Sequence, residues 1–164
     1  MAFLDVKKAY PTVFRAALLE RLHVIISKGP GGNPTQRSKT WSLIQDMYKK
    51  CTSKIRIDGH ESEEYEVLHG LREGAPLSPI LYAVFIDAVA HELEKCDGIK
   101  IGVEKFCSML YADDIVLTSE SAEDLQRMLD ICQKFADDSS FQFSMEQGKS
   151  HVMVFGDDDD HPFE

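Results

Sequence analysis

The chain has 164 residues with 43% hydrophobic content, enough for one ordinary domain with a real core, expected to span residues 1–156. No stretch approaches the roughly 20 apolar residues of a membrane-crossing helix, and Met1-Ala2-Phe3-Leu4-Asp5 lacks the basic-then-apolar pattern of a signal peptide, so a soluble, intracellular protein with no membrane partner is expected. The net charge of −10 taken alone argues against a nucleic-acid partner, because polyanions draw basic surfaces; part of that excess is the run Asp157-Asp158-Asp159-Asp160, read as an acidic disordered tail over 157–164.

In chain order, Phe3-Leu4-Asp5-Val6 predicts a buried strand with its polar end at an edge. Pro11-Thr12-Val13 opens a helix to about His23, with Leu18, Leu19, Leu22 and Ile26 at helical spacing. Lys28 to Pro34 is a loop, and Trp41, Ile44, Met47 and Tyr48 mark a second amphipathic helix. Lys54–Ile57 and Tyr65–Leu68 read as the two strands of a loose hairpin around Asp58-Gly59. After a loop over Gly70–Pro79, Ser78 is read as the cap of a helix from Pro79 to about Lys95.

Phe106–Leu110 and Ile115–Thr118 predict a second hairpin with Tyr111-Ala112-Asp113-Asp114 at its tip. Ser121 with Asp124 caps a helix whose apolar face is Leu125, Met128, Leu129, Cys132 and Phe135. Phe141–Met145 and His151–Phe155 read as two closing strands joined by a turn at Gly148. Helices with a mainly antiparallel sheet make the expected class α+β. Cys51, Cys96, Cys107 and Cys132 lie far apart in sequence with no metal-ligand spacing, so they are read as small buried or surface thiols.

Two acidic positions stand out chemically: Asp5 at a strand end, and the adjacent Asp113 and Asp114 in a tight turn. Leu110, Ile115, Val116 and Leu117 flank that pair. Neighbouring carboxylates in apolar surroundings repel one another and are costly without a cation or strong donors. Mg²⁺ suits such oxygens and often takes one or two of them plus substrate phosphates. A solvated turn is the plain alternative.

Four motifs in one order then carry a resemblance. Phe3-Leu4-Asp5-Val6-Lys7-Lys8-Ala9-Tyr10 resembles the first catalytic strand of reverse transcriptases. Gly70-Leu71-Arg72-Glu73-Gly74-Ala75-Pro76-Leu77-Ser78-Pro79 resembles their intervening loop and helix, Tyr111-Ala112-Asp113-Asp114 their Y-x-D-D turn, and Gly148-Lys149-Ser150 with the strand to Phe155 their next block. The similarity is to the enzymes of non-LTR (LINE-like) retrotransposons and group II introns. It implies a polymerase palm, a ferredoxin-like antiparallel sheet with helices on one face, working as an RNA-directed DNA polymerase.

By the same resemblance, Asp5 and Asp113 would ligate two Mg²⁺ ions (Mn²⁺ as a substitute), and Asp114 would assist at the metal site. Lys149 would stand near the leaving pyrophosphate. Tyr10 would be the aromatic gate against a ribose 2′-hydroxyl, and Glu73, Gly74 and Pro76 would line the nascent base pair. RNA template, DNA primer and dNTP are the implied partners. The family's fingers and thumb are not recognisable, which suggests a piece of a longer retroelement polyprotein.

Read without the resemblance, Tyr10 is a packing aromatic, Lys149 a turn lysine, and Gly70 and Gly74 loop glycines. Lys7, Lys8, Lys49, Lys50, Lys54 and Arg56 are either phosphate contacts or solvated surface. Pro11 stands where related enzymes carry Asp, and Glu73 where they carry Gln. Glu only accepts hydrogen bonds and adds negative charge near a triphosphate. The competing reading is a palm-like relic or binding module without activity. An RNA-dependent RNA polymerase or a cyclase fits less well, given Ala112 before the paired Asp and the loop from Gly74 to Pro79.

Overall fold

The computed structural model describes residues 1–29, 33–146 and 148–156. The acidic tail expected over 157–164 lies outside the described residues, as do residues 30–32 of the expected loop and residue 147. Contacts divide the chain into two compact units, one of Met1–Ala9 with the chain from Ile86 onward, the other of Tyr10–Phe85.

Strand β1 (Ala2–Asp5) is followed by a single short turn of helix, α1 (Ala9–Thr12), and then by α2 (Arg15–Lys28). The continuous helix expected from Pro11 to His23 is therefore broken at Val13 and Phe14. The cause is long-range. The Tyr10 carbonyl accepts from the Leu71 amide at 2.8 Å, and the Val13 carbonyl from the Gly70 amide at 2.9 Å. Arg15 adds bonds to the carbonyls of Gly70 and Val67. Carbonyls that a continuous helix would commit to its next turn instead hold the 67–71 segment. Gly70 has φ +83°, and a Cβ there would stand 2.6 Å from the Pro11 carbonyl oxygen, so this junction requires glycine.

Helix α3 (Pro34–Lys49) starts at a complete capping box. The Asn33 side chain accepts from the Gln36 amide at 2.9 Å, and the Gln36 side chain accepts from the Asn33 amide at 3.1 Å, with Pro34 in the first turn. Leu18 and Leu22 of α2 and Ile44 and Tyr48 of α3 are buried. Each such side chain contributes about 1.5–3 kcal/mol on burial.

The loose hairpin expected from Lys54 to Leu68 is two nested pairs. β2 (Thr52–Ser53) pairs with β5 (Tyr65–Glu66), and inside it β3 (Arg56–Ile57) pairs with β4 (His60–Glu61). Asp58 and Gly59, with φ 49° and 82°, close β3 and β4 as a tight two-residue turn of type I′ character.

Helix α4 (Ser78–Leu93) begins in the Tyr10–Phe85 unit and ends in the other. Ser78 does not act as the expected cap. It is the first helical residue, buried, and its hydroxyl donates to the Arg72 carbonyl at 2.6 Å. Ile86, Val89 and Leu93 enter the core. No helix among the described residues is long and apolar enough to cross a membrane.

A hairpin not anticipated from the sequence follows: β6 (Ile99–Ile101) with β7 (Glu104–Phe106). The expected strand over Phe106–Leu110 is thereby split at Cys107. Thr118 holds the break, its amide donating to the Cys107 carbonyl and its hydroxyl to the Phe106 carbonyl. Strands β8 (Ser108–Tyr111) and β9 (Asp114–Leu117) form the hairpin expected there.

Helix α5 (Ala122–Ser139) forms where expected. Ser121 accepts from the Asp124 amide at 3.1 Å, and Leu125, Met128, Cys132 and Ala136 are buried, while Leu129 and Phe135 of the expected face are half-buried. Ser140, at φ 56°, ends it in the left-handed conformation, with the Phe141 amide reaching back to the Ala136 carbonyl. Burial pushes the Cys132 thiol up to about 12, and the four cysteines are free thiols, as read.

Phe141–Met145 is not the strand expected. It touches β1's extension through one bridge, Val6 with Phe143, and two further backbone bonds. The last strand is short, β10 (His151–Val152). The sheet order is β10-β1-β9-β8, antiparallel throughout, so the class is α+β.

Candidate active site

Asp5 ends β1, where the strand is flanked by β9 on one side and the 142–152 segment on the other. Its amide donates to the Ser150 hydroxyl at 3.3 Å, and its carbonyl accepts from the Ser144 amide at 2.8 Å. Both backbone groups thus point away from β9. Asp5 is the register partner of Asp114 on β9. With its hydrogen-bonding groups turned the other way, this is a non-hydrogen-bonded pair, the kind in which opposed side chains stand closest. Like charges directly opposite in such a pair repel.

The hairpin tip adds a third carboxylate. Tyr111 pairs with Asp114, so Ala112 and Asp113 form a two-residue turn. Ala112 has φ 53°, while Asp113 stays on the ordinary side of the map. A positive φ at the first central residue alone is the pattern of type II′ turns, where glycine is usual. Alanine there stores backbone strain of order 1 kcal/mol.

The apolar flanks bury Ile115 and Leu117 but leave Asp114 exposed and Asp113 half-buried. A cation of the chain itself lies at this spot: the Lys149 ammonium stands 3.5 Å from Asp5 Oδ1. Among the described residues no three acidic, His or Cys side chains form a preformed metal cage. Oxygen donors on adjacent strands, partly open to solvent, suit Mg²⁺, which keeps several waters and takes other ligands from substrate phosphates.

The unit Met1–Ala9 with Ile86 onward thus holds Asp5, Asp113, Asp114 and Lys149. The other expected site residues lie in the Tyr10–Phe85 unit. Tyr10, half-buried, stacks on the buried Tyr82 with ring centroids 5.2 Å apart. Glu73, Gly74 and Pro76 are exposed on the loop before α4, and Gly74 has φ +77°. That loop is tied at Arg72, whose carbonyl accepts from the Ala75 amide and the Ser78 hydroxyl, and whose guanidinium reaches the Met47 carbonyl at 3.2 Å. Of the basic candidates, Lys54 and Arg56 are both paired with Glu61, while Lys7, Lys8, Lys49 and Lys50 are exposed.

Ser150 belongs to the Gly148-Lys149-Ser150 motif, but the motif does not foretell that its hydroxyl holds the Asp5 amide, and Ser144, which meets the Asp5 carbonyl through its backbone amide, carries no signal in the sequence.

The sequence matches the family model described as "Reverse transcriptase (RNA-dependent DNA polymerase)" over residues 1–162. The chain belongs to the reverse transcriptase family. It is 31% identical over 129 residues to a Pol polyprotein from the type-1 retrotransposable element R2 of Nasonia vitripennis, a match covering 79% of this chain and 12% of that protein. Against the polyprotein of the R2DM element of Drosophila melanogaster it is 31% identical over 130 residues, covering 79% of this chain and 11% of the relative. The RNA-directed DNA polymerase from the mobile element jockey, also of Drosophila melanogaster, is 23% identical over 152 residues, covering 89% of this chain and 15% of the relative. This reverse transcriptase chain therefore spans a small part of the length of the relatives it matches.

Proposed function

We propose that residues 1–156 act as the palm of an RNA-directed DNA polymerase, joining dNTPs to a primer 3′-hydroxyl on an RNA template as part of a longer polypeptide. The observation that carries this reading is the closely opposed pair Asp5 and Asp114, with Asp113 beside it at a strained turn. In this reading Asp5 and Asp113 hold two Mg²⁺ ions, which Mn²⁺ can replace, and Asp114 assists. When bound, such ions neutralise phosphate charge and make the primer hydroxyl a better nucleophile.

The chain's own groups then have separate tasks. The strand pairing of β1 and β9 fixes the carboxylates, so little reorganisation is needed as charge develops. Lys149, which faces Asp5, supplies positive charge toward the leaving pyrophosphate. On the other unit, Tyr10 excludes a ribose 2′-hydroxyl, and Glu73, Gly74 and Pro76 line the nascent base pair. Stacking on Tyr82 gives the Tyr10 ring a fixed plane, as such a gate requires.

One observation favours a second reading, an inactive palm-like binding module: the described residues show no preformed three-ligand cage. Primer extension on an RNA template with Mg²⁺ and dNTPs separates the two. The chain alone, and the chain joined to its encoded neighbours, are each compared with an Asp113→Ala control. Extension by the longer protein and its loss in the control is the expected result. Absence of extension from both folded proteins favours the binding module.

A further inference from the structure

We propose that Ser150 is a positioning residue that sets the backbone of Asp5; this inference rests on the metal-holding role given to Asp5 above. The ladder between β1 and β10 runs from Ala2 with Val152 to Phe3 with His151 and then stops. Two residues further along β1, at Asp5, a continued strand would offer a backbone partner at Lys149. The Ser150 side chain takes that place. Its oxygen accepts from the Asp5 amide at 3.3 Å, and its hydroxyl donates to the Ser144 carbonyl at 2.6 Å. The Ser144 amide in turn donates to the Asp5 carbonyl at 2.8 Å, closing a ring of three bonds around Asp5, and Ser144 is buried.

This substitution has two effects. A single hydroxyl joins two different segments, 144 and 150, to the same residue of β1, so the backbone of Asp5 cannot shift without breaking bonds to both. It also releases Lys149 from strand pairing. Lys149 belongs instead to a turn, its amide bonded to the Glu146 carbonyl at 3.0 Å, and its ammonium is directed at Asp5. Partners of this kind, one shell out from a ligand, commonly change metal affinity by about 10–100-fold when removed. Ala at position 150 would leave the Asp5 amide and the Ser144 carbonyl without that partner. Thr would keep the same oxygen.

The test uses the full chain with Mn²⁺ as the probe, free ion being read by electron paramagnetic resonance, together with hydrogen exchange at the Asp5 amide read by NMR. Ser150→Ala is expected to weaken Mn²⁺ binding about tenfold and to speed Asp5 exchange, while Ser150→Thr restores both. Unchanged affinity and exchange in Ser150→Ala overturns the proposal. Asp113→Ala is run alongside. If it abolishes Mn²⁺ binding while Ser150→Ala has no effect, the positioning role fails and the metal reading stands. If Asp113→Ala changes nothing, the metal reading fails, and the Asp5 exchange rates decide whether Ser150 holds that backbone. Should Ser150→Ala not fold, the unmutated chain decides: a slowly exchanging Asp5 amide supports the clamp, and exchange at the rate of an open loop overturns it.

Discussion

Two hairpins in this chain turn on two residues that include an aspartate, and they differ in nearly every other respect. At Asp58-Gly59 both central residues have positive φ, one of them glycine, and the flanking charges are settled locally, Glu61 pairing with Lys54 and Arg56. At Ala112-Asp113 the positive φ falls on alanine, and the adjoining Asp114 is opposed across the strands by another aspartate, Asp5, with Lys149 as the nearby cation. The first turn is a relaxed connection with balanced charge. The second places a positive φ on alanine and three aspartates close together in the hairpin and the strand beside it, the combination on which the proposed metal site rests.

Substitutions can break that contrast. The largest effect is expected from Asp113→Asn, which should abolish Mn²⁺ binding and cut primer extension by at least about 100-fold, a loss typical of removing a group that stabilises developing charge. Asp58→Asn should leave both unchanged, and equal losses in the two would erase the distinction. In thermal unfolding, Gly59→Ala should destabilise by about 1–2 kcal/mol, the cost of a left-handed conformation for a residue with a Cβ. Ala112→Gly should act in the opposite direction, stabilising by about 1 kcal/mol as the strain is relieved. A destabilised Ala112→Gly protein would mean the turn is not strained. The smallest effect belongs to Glu61→Gln, which removes exposed ion pairs and should cost less than about 0.5 kcal/mol in a denaturant titration.

Local chemistry was readable in the sequence wherever a few neighbouring residues decide the outcome. Ser121 with Asp124 and the stripe from Leu125 to Cys132 define α5, and the apolar runs on either side of the acidic turn define β8 and β9. The capping box of Asn33-Pro34-Thr35-Gln36 is equally local, although its first two residues fall in the loop expected over Lys28–Pro34. What could not be read depends on distant partners. The break between α1 and α2 exists because Gly70 and Leu71 claim the carbonyls of Val13 and Tyr10. The candidate site divides the same way: Asp5, Asp113, Asp114 and Lys149 were named from motifs, but the direct opposition of Asp5 and Asp114 is a matter of register.

The sheet order also governs how the chain can fold. β1 lies in the interior of the sheet, with Ala2 paired to Leu117 on one side and Val152 on the other. Closing those loops is entropically expensive and slow. The nested hairpin and the α2–α3 pair, made of near neighbours in sequence, can form early. During synthesis β1 stays unpaired until β9 has been made, and its second side stays open until β10 follows, so its apolar segment is exposed to misassociation in that interval.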